Sequence, residues 1–410
     1  MDKTLIEQLD NGLTLCLIER ESAHHTCVQV IVNYGAHHHV GSSKDSQQAG
    51  IAHFLEHLIL QSSEKDDLLG DCAKMGVELN ACTSADQTIF TLIGGDRILT
   101  ASAALLNRLM SVNFSVDQVI KERSIIEQEL ALYQDNPYEY LSLLLLAKLY
   151  PDHVFCSDIV GSQHSLDSIN VDQLTNAYDS QYQLMNMALV KIGHFSNQAF
   201  YQQLATLAPR QSVFQNGKCV KSAPLAKEGM FHVNHPLVKP MALLGWRFEQ
   251  PLSWQEKRWH WQLIQDIFWE MLLGETSQNY ETWLKTGLIH EDFTYQADLL
   301  EGKHDLILLS TSEKTDECLA AWQRVIMNWQ QSLDMNSQRF EAVKAAKRAQ
   351  FIWDQQQITT YCENIVSSYC GSFTYFDYDE DLSQLAFEDV WTYGQATLAS
   401  FQLAGLIVES

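Results

Sequence analysis

Gly50-Ile51-Ala52-His53-Phe54-Leu55-Glu56-His57-Leu58-Ile59-Leu60 is the stretch whose reading decides this chain. On a helix, His53 and His57 are four apart and stand one above the other on one face. Glu56, three residues after His53, projects beside them. Two imidazoles can hold a zinc ion, and a neighbouring carboxylate can act on its water. The order is HxxEH, an inverted zinc-binding motif. The stretch is apolar nearly all round, which predicts a buried helix over about Gly50 to Leu60.

A hydrolytic zinc takes three protein ligands and keeps one position open. His53 and His57 supply two, and a carboxylate from elsewhere suits the third. The predicted helix around Lys121-Glu122-Arg123-Ser124-Ile125-Ile126-Glu127-Gln128-Glu129-Leu130 offers three candidates. Glu122 and Glu129 are seven apart and share a face. Glu127 points about 160° away from Glu129 and is read as solvated. One carboxylate of the inward pair would bind metal, and the other could orient a ligand histidine. Glu56 is the expected general base, taking a proton from the attacking water and passing it to the leaving amine. A helix with two incidental histidines is the bland alternative; the buried setting and the acidic helix downstream argue against it.

Other histidines and acids are weaker candidates. His37-His38-His39 cannot all face one ion on an extended chain, so they read as a polar loop, as do His24-His25. Asp377, Asp379, Glu380 and Asp381 lack the spacing and the glycine of a calcium loop and read as a solvated surface.

The chain has 410 residues, 46% hydrophobic and 19% charged. That length suits two domains of about 200 residues each. No apolar run reaches the roughly 20 residues a membrane span needs, and the N-terminus has no apolar signal core. A cytoplasmic protein is expected, with no membrane partner. The net charge of −24 argues against nucleic acid, which needs a basic footprint. Its bland meaning is solubility; its sharper meaning is an acidic cavity that concentrates basic peptides. The nine cysteines are scattered and odd in number, unlike a disulfide framework. They read as small buried hydrophobes, Cys82 included.

The periodicities give an α+β chain. Leu5–Leu9 and Leu13–Ile18 flank the tight-turn pair Asn11-Gly12 and form a hairpin. Thr26–Val32, Gly76–Ala81, Gln87–Ile93 and Met187–Ile192 read as strands. Ile98–Met110, Val116–Tyr133 and Tyr138–Leu149 read as helices. Pro209 to Glu228 has little periodicity and marks a boundary between domains at 1–212 and 228–410. Beyond it come strands at Met230–Val233 and Met241–Phe248, a helix from Trp254 to Leu273, and a hairpin of Phe293–Leu300 with Asp305–Leu309. Helices near Asp316–Gln331, Gln338–Ile352 and Phe387–Ala399 precede a last strand, Leu403–Val408.

These motifs together resemble a known family. Gly50–Leu60, then Leu79-Asn80-Ala81-Cys82-Thr83-Ser84, then Glu122–Glu129 followed by Asp135-Asn136-Pro137, are similar to the pitrilysin/insulinase-type inverzincin metallopeptidases. His57 and Glu129 are 72 residues apart (129 − 57), a gap that fits the family. The likeness is strongest to the short bacterial branch related to the mitochondrial processing peptidase. Gly274-Glu275-Thr276-Ser277, Gly287-Leu288-Ile289 and Phe376-Asp377-Tyr378 resemble a bacterial subgroup often encoded as paired subunits. The resemblance implies zinc on His53, His57 and Glu129, with Glu56 as base and Glu122 as the carboxylate that orients a ligand. It implies that Asn80 and Ala81 lie on an edge strand that pairs with substrate backbone. The implied fold is two similar α+β domains, each a mainly antiparallel sheet with helices on one face.

One departure shapes the functional expectation. Active members carry an arginine and a tyrosine seven apart in a later domain, in a stretch resembling LRxKxGLxY. Here the matching segment ends Trp283-Leu284-Lys285-Thr286-Gly287-Leu288-Ile289-His290. Trp283 stands for the arginine and His290 for the tyrosine. The expected protein is therefore a zinc-bearing endopeptidase subunit for short or unfolded peptides, such as a peptide leader. A homologous second subunit would supply the arginine–tyrosine pair in a heterodimer; a homodimer using His290 is the lesser expectation. A non-proteolytic scaffold subunit is the alternative, and such members usually lose the zinc residues that this chain keeps.

Overall fold

A computed structural model describes residues 2–38, 49–61, 67–209, 226–249, 254, 258–300, 303–369 and 373–409. Its strands are β1 (Lys3–Gln8), β2 (Thr14–Glu19), β3 (Thr26–Val32), β4 (Val77–Thr83), β5 (Thr88–Gly94) and β6 (Met187–Gly193). The later ones are β7 (Gly229–Asn234), β8 (Met241–Phe248), β9 (Thr294–Leu300), β10 (Lys303–Thr311) and β11 (Phe401–Glu409). They form two sheets, ordered β1-β2-β6-β3-β5-β4 and β7-β11-β8-β10-β9. Among the described residues, only β2–β6 and β7–β11 pair in parallel. The α+β architecture of two mainly antiparallel sheets with helices is the one expected.

Two compact units divide the chain. The first comprises Met1–Leu132, Ser157–Cys219 and Trp353–Phe376; the second comprises Tyr133–Cys156, Val220–Ile352 and Asp377–Ser410. His39 of the expected polar loop, the residues 40–48 after it, and residues 210–225 of the expected boundary lie outside the described residues.

In the first unit the hairpin of β1 and β2 turns at Asn11-Gly12, as its sequence predicts. Gly12 sits at φ 94°, a left-handed conformation that favours glycine. β3 is buried along its whole length, because both its faces are covered. Val28, Val30 and Val32 join the core under the motif helix. The alternate residues Cys27, Gln29 and Ile31 turn to the other face, where the helix Ile358–Ser367 packs on β3 and β6. Its apolar stripe is Ile358, Tyr361, Cys362, Ile365 and Val366, the i, i+3, i+4, i+7 pattern of one helical face.

The second unit uses the same device. Ala242, Leu244, Trp246 and Phe248 of β8 meet the helix Arg258–Leu273 in one core. The opposite face carries the helix Pro137–Leu149. Gly245 allows its close approach: a Cβ there would stand 2.7 Å from Leu149 Cδ1. In each unit, then, most of the described helices lie on one face of the sheet and one described helix lies on the other.

Candidate metal centre

The motif helix runs Ile51–Leu60 and starts at Gly50, whose φ of 88° suits glycine alone. A Cβ at Gly50 would lie 2.5 Å from the Val160 carbonyl oxygen, so the helix start is held against backbone. Phe54, Leu55, Leu58 and Ile59 are buried in the first core. Each contributes about 1.5–3 kcal/mol of burial, enough to offset the cost of taking His53 and Glu56 out of water on the same helix. His53 and Glu56 are both 7% exposed.

The acidic helix runs Val116–Asp135 and buries Val119, Glu122, Ile126 and Leu130. That stripe brings Glu122 and Glu129 to the motif helix. Glu127 stays apart, accepting a hydrogen bond from Gln163 (2.9 Å). Glu129 Oε1 lies 3.6 Å from His53 Nε2, and its Oε2 lies 3.3 Å from His57 Nε2. Among the described residues, His53, His57 and Glu129 form the one group of three metal-type donors, with one atom of each within 4.8 Å of the others. His57 Nδ1 lies 2.9 Å from Glu122 Oε1, and Gln61 Nε2 donates to Glu122 Oε2 at 2.8 Å.

These spacings fit a zinc ion. Ligand atoms about 2.0–2.1 Å from a tetrahedral zinc stand about 3.3 Å from one another. Direct charge-assisted hydrogen bonds would be shorter, about 2.7–2.9 Å. The His–Glu129 distances match the first geometry, and the His57–Glu122 distance matches the second. Burial, with the adjacent His57, lowers the His53 imidazole to about 3, so it stays neutral and able to donate its lone pair. His57 behaves differently. Burial lowers it, but the hydrogen bond it donates to Glu122 and the charges of Glu56 and Glu129 outweigh that and hold it above its ordinary value.

Glu56 lies on the same helix, with its carboxyl raised by burial and lowered by the hydrogen bond from Thr83. Thr83 Oγ1 donates to Glu56 Oε2 at 2.7 Å. Thr83 and Gln61 are the functional neighbours that sequence reasoning left without a role. Thr83 shares a face of β4 with Leu79 and Ala81 by simple alternation, which is the signal that could have found it. β4 is one of the two edge strands of the first sheet among the described residues, and Asn80 and Ala81 lie on it. Cys82, expected in the core, is exposed instead, because the even positions of β4 face away from the core.

In the second unit, Trp283 is 3% exposed and packs in the core against Phe293, with ring centroids 5.9 Å apart. His290 lines a separate cavity of about 780 Å³ together with Lys239, Lys285 and Asp292.

A model of the family described as Insulinase (Peptidase family M16) matches residues 16–160, which hold His53, Glu56, His57, Glu122 and Glu129. Residues 16–160 of the chain are thus similar to the insulinase family. A relative from Bacillus subtilis (strain 168), named as the uncharacterized zinc protease YmfH, is 25% identical over 298 residues, 70% of this chain and 69% of that protein. An M16-like peptidase of Alicyclobacillus acidocaldarius has the same fold, with a TM-score of 0.85 at 22% identity over 100% of this chain and 99% of the other. So does a peptidase M16 inactive domain from Pseudomonas fluorescens, with a TM-score of 0.77 at 12% identity over 99% of this chain and 97% of the other. The same fold thus also occurs in a domain described as inactive, so activity is decided by the side chains.

Proposed function

We propose that this chain is the zinc-bearing subunit of an endopeptidase that hydrolyses short or unfolded peptides. The observation that carries the reading is the convergence of His53, His57 and Glu129 beside Glu56, next to the edge strand β4. His53, His57 and Glu129 would hold zinc. Zinc held there would supply Lewis-acid polarisation of a scissile carbonyl and of the attacking water.

The remaining steps belong to the chain's own residues. Glu122 fixes the ring of His57 so that Nε2 faces Glu129. Glu56 accepts the proton of the attacking water and delivers it to the leaving amine. Thr83 holds one oxygen of Glu56, leaving the other for that transfer. The edge of β4, with Asn80 and Ala81, pairs with the extended substrate backbone.

The second half of the site comes from a partner. Trp283 fills a hydrophobic core, so its position offers no cation to substrate. A homologous subunit bearing the arginine–tyrosine pair would complete the centre in a heterodimer. The test is purification of the chain alone and with such a subunit, followed by zinc analysis and mass spectrometry of a mixed peptide library. Stoichiometric zinc with cleavage by the pair is expected; zinc without cleavage of any peptide by the pair would remove the endopeptidase reading.

A further inference from the structure

The first unit has a cavity on the face of its sheet opposite the zinc-ligand cluster. Along β4, Val77, Leu79 and Ala81 pack with the core and Thr83 reaches Glu56. Alternation sends Glu78, Asn80 and Cys82 to the other face, where all three are exposed. There they line a cavity of about 470 Å³. Ile89 and Ile93 of β5 and Val366 of the helix Ile358–Ser367 give it an apolar lining, and Glu363 of that helix adds a second carboxylate to Glu78. No lysine, arginine or histidine among the described residues lines it.

A second observation points to a ligand. Gln29 also lines this cavity and is 3% exposed. Its Nε2 donates to Thr91 Oγ1 at 3.0 Å, while its Oε1 has no partner among the described residues. A buried acceptor left unpaired is costly, and a ligand N–H would remove that cost. Cys82 also lines the cavity, and burial, with the charges of Glu56 and Glu363, raises its thiol.

A peptide paired on β4 continues the sheet, so its side chains alternate between the two faces. Those on one face meet Glu56 and the zinc ligands. Those between them meet this cavity. We propose that the cavity is a specificity pocket for one lysine or arginine side chain of the bound peptide. This rests on the edge-strand reading given above. The aliphatic stem would lie on Ile89, Ile93 and Val366, as long cationic side chains do on apolar surface. The head would stand between Glu78 and Glu363 and give one N–H to Gln29. An acidic side chain would meet two carboxylates and no cation.

The strand also sets the distance. Cys82 and Glu78 are one and five residues from Thr83, roughly 3 and 16 Å along a strand. The pocket therefore reads a side chain within about five residues of the scissile bond, on the face away from the metal ligands.

The experiment uses the zinc-loaded Glu56→Gln chain, which can hold peptides without cutting them. It is titrated with fluorescent extended peptides that carry a single arginine at successive positions, and with matched peptides in which neutral citrulline replaces it. Binding about tenfold tighter for arginine in one register is expected, with that ratio falling to about one in the Glu78→Gln, Glu363→Gln double variant. Both glutamates are exposed, and zinc content and circular dichroism check that the variant is folded. Equal affinity for arginine and citrulline peptides would overturn the pocket and leave the edge-strand reading standing. An arginine preference that survives the double substitution would overturn the assignment to Glu78 and Glu363. Binding of neither peptide would overturn the pocket and the edge-strand reading together.

Discussion

Glu122 Oε1 lies 2.9 Å from His57 Nδ1, so a carboxylate on one helix sets the ring orientation of an imidazole on another. The consequence is at the opposite nitrogen: with Nδ1 engaged, Nε2 of His57 is the atom 3.3 Å from Glu129 Oε2. Gln61 holds the second oxygen of Glu122 and keeps the carboxylate from swinging away.

Glu122→Ala should weaken zinc binding by about 10–100-fold, the usual cost of losing a residue that orients a ligand. Competition with a chromogenic chelator measures it. Glu122→Gln should fall between, because the amide can still accept from His57 Nδ1 through its oxygen but carries no charge. An unchanged zinc affinity in Glu122→Ala would show that His57 is oriented by other means.

A parallel test separates the base from the ligands. Glu56→Gln should retain stoichiometric zinc and lose peptide turnover by at least about 100-fold. Thr83→Val should keep zinc and lower kcat about tenfold with little change in KM, because it frees the oxygen that Thr83 Oγ1 holds at 2.7 Å. Thr83→Ser restores the hydroxyl and should restore most of kcat. Should Thr83→Ser behave like Thr83→Val, the threonine would matter for packing and not for its hydrogen bond.

Much of this centre could be read from the chain because its signals are local. The four-residue spacing of His53 and His57 and the seven-residue spacing of Glu122 and Glu129 place each pair on one helical face. The hairpin at Asn11-Gly12 and the strand Thr26–Val32 carry their own turn and β-branched signals. What spacing cannot supply is which faces meet. His57 and Glu122 are 65 residues apart (122 − 57), and their contact depends on both helices packing against the same core. The helices Leu68–Lys74 and Ile358–Ser367 went unread for different reasons. The first is short and interrupted by Gly70. The second has a clear apolar stripe, but its place on β3 lies some 330 residues back along the chain, a pairing that no local pattern encodes.

Trp283 offers a test of the partner requirement. It is 3% exposed among Phe293 and its neighbours. Trp283→Arg should destabilise the chain by about 3–5 kcal/mol through lost packing and a buried charge, read as a lower urea midpoint. Combining Trp283→Arg with His290→Tyr should not make the isolated chain cleave peptides. Turnover by that double variant alone would show that the arginine position is open to substrate and that no partner is needed.

Asp305 gives a pH dependence with a definite sign. It is fully buried on β10, and burial raises its carboxyl to about 7, against the opposing pull of Lys303 at 3.7 Å. A carboxyl raised above its unfolded value binds more protons in the folded state than in the unfolded one. Its stabilising share is therefore complete below about pH 4 and is lost as pH rises through about 7. Asp305→Asn imitates the protonated acid at every pH. The variant should match the wild-type chain near pH 4 and become steadily the more stable of the two by pH 8, by on the order of 4 kcal/mol. Thermal unfolding of both proteins across that range measures the difference. A gap that is constant with pH would mean that Asp305 keeps its charge inside the fold, with Lys303 compensating for its burial; a gap that opens toward alkaline pH is the signature of an acid held neutral by its surroundings.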